Sequence, residues 1–253
     1  MQFPVRFSIV TYNLWGTERW PDRADALGLF LDLYAPDVFC VQELTRETRD
    51  FVDERLVNHD RVDDDTLAGW LTESNIWWRQ DLFGLVEHGA ETFGCTEYPD
   101  RRLFWVRLRP CDRSSSVVIS TVHLTDFATA HEFETGNSPR VEEARQLVQA
   151  LTRVVAEDEP ALVVGDFNDS CGALAPLGLA GYFSCFGALH QIPPTTLPAS
   201  YDRFGGGSFA TAFVLDWVLA NVHARAIAAA SPHVHAGDIS PSDHWPVHAV
   251  YQI

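Results

Sequence analysis

Six short polar clusters punctuate the 253-residue chain, most of them at the end of an apolar run: Asn13, Gln42-Glu43, His123-Leu124, Gly165-Asp166-Phe167-Asn168-Asp169, Asp216-Trp217 and Ser242-Asp243-His244-Trp245. Polar residues at strand ends can converge on a single pocket, the usual place for a site in α/β proteins. Convergence would crowd Glu43, Asp166, Asp216 and Asp243 together. At roughly 4 Å and an effective dielectric near 20, each like-charged pair costs about 4 kcal/mol, so such a cluster demands a cation or a proton. Oxygen-rich ligation without cysteine points to Mg²⁺ or Mn²⁺ rather than zinc. Taken singly, each residue has an ordinary structural reading. Asn13 could be a turn residue, His123 a satisfied core histidine, Gly165–Asp169 a tight turn, Glu43 a helix cap and Asp243-His244 a surface ion pair. Their joint occurrence in order favours a site.

The elements that must position these residues alternate from end to end. Phe7 to Tyr12 reads as a strand; Ala24 to Tyr34 carries apolar residues at Leu27, Phe30, Leu31 and Tyr34 and stops before Pro36, as a helix would. Asp37 to Val41 is a short buried strand, and Thr45 to Leu56 a second helix. Asn58 to Trp78 is harder to read, its acidic Asp63-Asp64-Asp65 run being most simply a solvated loop. Leu103 to Leu108 and Val117 to Val122 read as paired strands. Ser138-Pro139 predicts a helix start, with Ser as N-cap and Pro in the first position, and Ala161 to Val164 is another buried strand. Cys171 to Gly207, rich in Gly and Pro, reads as long loops, and Phe213 to Leu219 and Val247 to Tyr251 as the last strands. The pattern predicts a single α/β domain over residues 1–253.

Composition limits the partners. The formal charge is −17, and all 18 basic residues are arginine. A chain this acidic cannot hold a polyanion by a diffuse basic field, so any phosphate must be gripped locally, a task that suits the planar fork of arginine. Genomic base composition is the simpler account of the missing lysine. The five cysteines, Cys40, Cys95, Cys111, Cys171 and Cys185, form no CxxC pair and indicate neither a disulfide framework nor a zinc knuckle. No run approaches 18 apolar residues and no secretory leader is evident, so the expectation is a cytoplasmic monomer without a membrane span.

As an ordered set, the motifs TYNLW, VQE, STVHL, GDFND, LDWVL and SDHWPV resemble the endonuclease/exonuclease/phosphatase superfamily, from Asn13 to His244. The resemblance implies a four-layer α/β sandwich, two mixed β-sheets face to face with helices outside, and a site at one edge of the sheets. It implies Glu43 as principal metal ligand, helped by Asn13 and Asp243. It further implies Asp166 as the residue that orients or deprotonates the attacking water, with Asn168 holding the same water or phosphate. His244 would contact a phosphate oxygen while Asp216 fixes its ring. His123 matches the deoxyribonuclease I, sphingomyelinase and tyrosyl-DNA phosphodiesterase branches, whereas abasic-site endonucleases carry asparagine there.

The reaction so implied is Mg²⁺- or Mn²⁺-dependent hydrolysis of a phosphoester, with a nuclease or phosphodiesterase acting on single-stranded or short nucleic acid as the first reading. A phosphatase or phosphodiesterase of a small molecule or lipid headgroup is the second, and an inactive binding scaffold the third. Substrate contacts are expected from Tyr98, Arg101 and Arg102, although a turn flanked by solvated arginines explains them equally well. Trp15, Trp20, Trp217 and Trp245 flank the motifs and could stack on a base or sugar, or simply pack. Gln191 to Gly207 is expected to rim the pocket. His233 and His235, with Asp238, suggest a second ion less readily than a loop.

Overall fold

The computed structural model describes residues 4–67, 69–93, 98, 100–127, 129–199 and 212–253. Two six-stranded mixed sheets are present. In the first, β1 (Arg6–Asn13) and β2 (Val38–Gln42) run parallel, joined through helix α1 (Ala24–Tyr34). Helix α2 (Arg46–Arg55) follows β2, then β3 (His59–Arg61) and β4 (Ser74–Arg79) extend that edge. In the second, β5 (Phe83–Thr92) and β6 (Arg102–Pro110) lead to β7 (Val117–His123). The short α3 (Ala130–Thr135) and the long α4 (Pro139–Val154) then cross over to β8 (Ala161–Asp166), which is parallel to β7. After α5 (Leu174–Leu179), β9 (Phe183–Ser184) and α6 (Cys185–Ala188), β10 (Asp216–Ala220) closes the second sheet. The chain then returns to the first sheet as β11 (Arg225–Ala230) and β12 (Val247–Gln252). The resulting orders are β11-β12-β1-β2-β4-β3 and β5-β6-β7-β8-β10-β9.

The side-chain period of two sorts each central strand into two faces. Phe7, Ile9, Val38, Cys40, Val117, Ile119, Leu162, Val164 and Val218 belong to one buried cluster between the sheets. Their neighbours turn outward: Val10, Tyr12, Phe39 and Val41 pack with Leu27, Phe30 and Leu31 of α1. Val118, Val122, Ala161 and Val163 pack with Leu147 and Leu151 of α4. Helices on both outer faces complete the four-layer sandwich that the motifs imply.

Several expectations need correction. Asn58–Trp78 contains β3 and the first residues of β4, and the Cys171–Gly207 stretch contains α5, β9 and α6. β5 and β11 are additional strands. Ser138 stands at the N-cap of α4 with Pro139 next, yet its side chain makes no capping hydrogen bond. Thr45, not Glu43, caps α2, through a reciprocal box with Thr48. Cys40, Cys111, Cys171 and Cys185 are free thiols, and Cys95 lies outside the described residues. Among the described residues no helix is long and apolar enough to cross a membrane.

Candidate active site

The inter-sheet face that carries the core also carries the chemistry, because the same period of two continues past the last apolar residue. On β1 the series Phe7, Ile9, Thr11 ends at Asn13; on β7, Val117, Ile119, Thr121 ends at His123; on β8, Leu162, Val164 ends at Asp166. Cross-strand register then sets His123 beside Asp166 and Asp166 beside Asp216. In the opposite sheet Asn13 pairs with Gln42, whose next residue is Glu43. Gln42 joins the two layers, its amide donating to Thr11 Oγ1 at 3.0 Å and to Thr121 Oγ1 at 2.8 Å.

Asp166 is the hub. It is 1% exposed. Its Oδ2 accepts from Asn13 Nδ2 at 2.9 Å, and its Oδ1 from the Asn168 N–H at 2.8 Å. The Nε2 atoms of His123 and His244 each stand 3.7 Å from Asp166 Oδ2. Asn13 Nδ2 also donates to Glu43 Oε1 at 2.9 Å, so one amide bridges the carboxylates of the two sheets. Asn13 Oδ1 accepts from the Trp15 N–H, and Asn168 Nδ2 donates to the Leu124 carbonyl.

Each histidine has a carboxylate behind it. His244 Nδ1 is 2.8 Å from Asp216 Oδ2, and His123 Nδ1 is 2.8 Å from Glu73 Oε1. Burial alone would strip the proton from His244, but Asp216 and Asp166 outweigh it and hold this histidine well above its ordinary range. His123 is likewise raised, burial and Arg101 opposing and Glu73 prevailing; burial of Glu73 is in turn overcome by His123 and its carboxyl is lowered. Asp243 has a carboxyl pushed up to about 6, chiefly by burial, with Glu43 and Asp166 adding repulsion. Three non-glycine residues here, Trp15, Glu43 and Asn168, have φ of 58°, 52° and 48°, in the sparsely populated left-handed region that clusters at functional sites.

The backbone must approach closely for this to assemble. Gly165 has φ of 143°, and a Cβ there would lie 2.0 Å from the carbonyl oxygen of Val122 on the neighbouring strand. Only glycine lets β7 and β8 meet beside the hub.

The donor set suits a hard divalent cation. Glu43, Asn13 and Asp243 offer oxygen and no sulfur. Among the described residues, Asp166, Asp216 and His244 form an acid–histidine group whose ligand atoms lie within 4.8 Å of one another. There, His244 Nδ1 is already committed to Asp216.

The substrate-contact expectations fare differently. Arg101 is drawn to the site but is occupied: Nη1 donates to Asp126 Oδ1 at 2.8 Å and to the Leu124 carbonyl, and Nε is 3.7 Å from Glu73. Tyr98 lies over its guanidinium, 4.0 Å from ring centroid to Cζ, and donates to Asp126 Oδ2. Arg102 begins β6 opposite Thr92, with a buried Nε that lacks a hydrogen-bond partner. Trp15 sits against the Arg23 guanidinium. Trp245 is buried, with His233 stacked on it at 4.2 Å and His235 edge-on at 5.1 Å, so these histidines pack on an indole. Of the expected rim, residues 200–207 lie outside the described residues. Glu73, Asp126 and Arg23 escaped sequence reading. Glu73 stands in the stretch whose strands were illegible, whereas Arg23 stands immediately before a legible helix and is set apart only by its burial in the structure.

This fold and site define a class. The sequence matches the Endonuclease/Exonuclease/phosphatase family over residues 10–244, and the chain belongs to that family. Among solved structures it is similar to D. rerio TDP2 in complex with a single-strand DNA product, at 20% identity and TM-score 0.80, covering 98% of this chain and 99% of that one. It is also similar to the mannosyl-6-phosphatase Bt3783 of Bacteroides thetaiotaomicron VPI-5482, at 18% identity and TM-score 0.76, covering 97% and 99%. No curated protein sequence matches the chain.

Proposed function

We propose that this protein is a divalent-metal-dependent phosphoesterase that hydrolyses P–O bonds of nucleic acid or nucleotides by in-line attack of water. The observation that carries the reading is the register of β7, β8 and β10, which lines up His123, Asp166 and Asp216 opposite Asn13 and Glu43. Glu43, Asn13 and Asp243 would hold Mg²⁺ or Mn²⁺, which when bound neutralises phosphoryl oxygens and offsets charge on the leaving oxygen. Asp166 Oδ2, between two imidazole Nε2 atoms, orients the attacking water and takes its proton. Asn168 is fixed by its bonds to Asp166 and Leu124 and keeps its side-chain oxygen for the same water. His244, held in its protonated form by Asp216 on Nδ1, offers Nε2–H to a phosphoryl oxygen, and His123, backed by Glu73, does so from the other side. Asp216 acts through His244, whose ring it fixes at Nδ1. The D. rerio relative with its single-strand DNA product supports the phosphodiester reading.

A second reading, hydrolysis of a small phosphate ester, is favoured by the −17 charge and by the engagement of Arg101 with Asp126 and Glu73. The likeness to a mannosyl-6-phosphatase supports it too. Tyr98, Trp15 and Trp245 then shape the pocket instead of stacking on bases. A panel of single-stranded oligonucleotides, nucleotides and sugar phosphates, each with Mg²⁺, with Mn²⁺ and with chelator, decides between them. Metal-dependent cleavage of oligonucleotides supports the first reading. Turnover confined to small esters supports the second, and no hydrolysis of any substrate contradicts both.

A further inference from the structure

Arg23 is the N-cap residue of α1 and is 0% exposed. A buried guanidinium ordinarily needs a carboxylate, since the desolvation cost is several kcal/mol. Its hydrogen bonds go instead to backbone carbonyls. Nε donates to Glu18 at 2.7 Å, Nη2 to Trp15 at 3.4 Å and to Gly16 at 3.3 Å, and Nη1 to Pro241. The rings of Trp15 and Trp20 lie 5.3 and 5.8 Å from its Cζ.

Those carbonyls belong to two segments that adjoin the proposed cation ligands. The loop after β1 holds Asn13 through the Trp15 N–H, and a Cβ on Gly16 would lie 3.6 Å from Glu43 Oε2, so this loop passes directly against the Glu43 side chain. Pro241 precedes Asp243 by two residues. One planar fork thus ties the loop that abuts Asn13 and Glu43 to the loop that presents Asp243, joining segments more than 200 residues apart in sequence.

We propose that Arg23 is a positioning residue that assembles the cation site by clamping these two loops together. The inference rests on the metal-dependent reading of the site. It depends on the shape of the fork and not on charge alone: lysine retains the charge but offers a single point of donation and cannot reach all four carbonyls at once.

The test is the affinity of the intact protein for Mn²⁺ alone, counted as free ion by electron paramagnetic resonance, alongside the metal concentration for half-maximal hydrolysis. R61K serves as a control, because Arg61 binds Asp53, Asp63 and the Val62 carbonyl away from the cluster. R23K is expected to bind Mn²⁺ at least about tenfold more weakly, with kcat restored at saturating metal, while R61K binds as wild type does. Should R23K fail to fold, R23Q, which removes the buried charge but has two donors in place of five, is expected to weaken Mn²⁺ binding at least about tenfold, although loss of a positive charge beside the site would by itself strengthen it. Wild-type or tighter affinity in R23K, or in R23Q where that variant must serve, overturns the clamp even if thermal stability falls. Failure of the wild-type protein to bind Mn²⁺ overturns the metal reading beneath it.

Discussion

Asp166 cannot relax into an alternative arrangement, since both carboxylate oxygens are already hydrogen-bonded and both histidine Nε2 atoms face Oδ2. Asp166→Ala and His244→Ala are each expected to lower turnover by about 10²- to 10⁴-fold without unfolding the chain, measured as kcat alongside circular dichroism. Glu73→Gln leaves a neutral partner on His123 Nδ1. Since Glu73 raises the His123 pKa, its loss is expected to move the alkaline limb of the kcat profile to lower pH while the Asp216–His244 pair stays intact. An unchanged limb would show that His123 does not act in protonated form. Asp166, Asp216 and His244 were legible because each stands within a short recognisable motif. Glu73 was not, since a lone carboxylate in an unreadable stretch has nothing to set it apart until the fold brings His123 within 2.8 Å.

Strands and helices were legible where apolar alternation or helical spacing was strong, as in β1, β7, β8, α1 and α4. β5 runs along an edge with Leu85 to His88 exposed and a register shift near Leu85, so its alternation is lost. β11 is mostly alanine, which carries little strand preference, and α5 contains both Pro and Gly. β4 is buried on both faces from Ser74 to Trp78 and therefore shows no alternation. Two substitutions test how the elements are joined. Gly165→Ala is expected to cost about 3 kcal/mol or more in denaturant unfolding, because its Cβ would strike the Val122 carbonyl. Glu159, in the connection between α4 and β8, ties that connection to β6 and to the residue before β7, accepting from Arg107 Nε at 2.8 Å, from Ser116 Oγ at 2.6 Å and from the Ala156 N–H. Burial raises its carboxyl, but Arg107 and Ser116 prevail and lower it. Its contribution is therefore complete above the unfolded value near about 4.3 and is lost as pH falls through the lower folded value. Glu159→Gln should unfold at lower urea concentration at neutral pH and show a flatter midpoint below about pH 4.3.

For the molecule as a whole, the two sheets meet so that each supplies half of the site, and the last motif is brought to the first by the pairing of β12 with β1. The chain carries an excess of acid over base, −17 in all, and Arg101 beside the site is already paired with Asp126. Binding of a single-stranded oligonucleotide should accordingly release few counterions. A plot of log affinity against log salt is expected to have a slope no steeper than about −2, whereas a slope near −5 would require a basic track. Composition had already excluded a diffuse basic grip, and the structure adds that Arg101 is spent on Asp126 and Glu73.

In the proposed reaction Asp166 and the two flanking histidines direct water at phosphorus. Hydrolysis in ¹⁸O-water with Mg²⁺ or Mn²⁺, followed by ³¹P resonance of the product, tests it most directly. The wild-type protein is expected to place one ¹⁸O on the phosphorus-containing product, and Asp166→Asn to lose at least about 10²-fold in that rate. Label appearing only in the alcohol product, or an Asp166→Asn variant that incorporates label at the wild-type rate, would contradict the account.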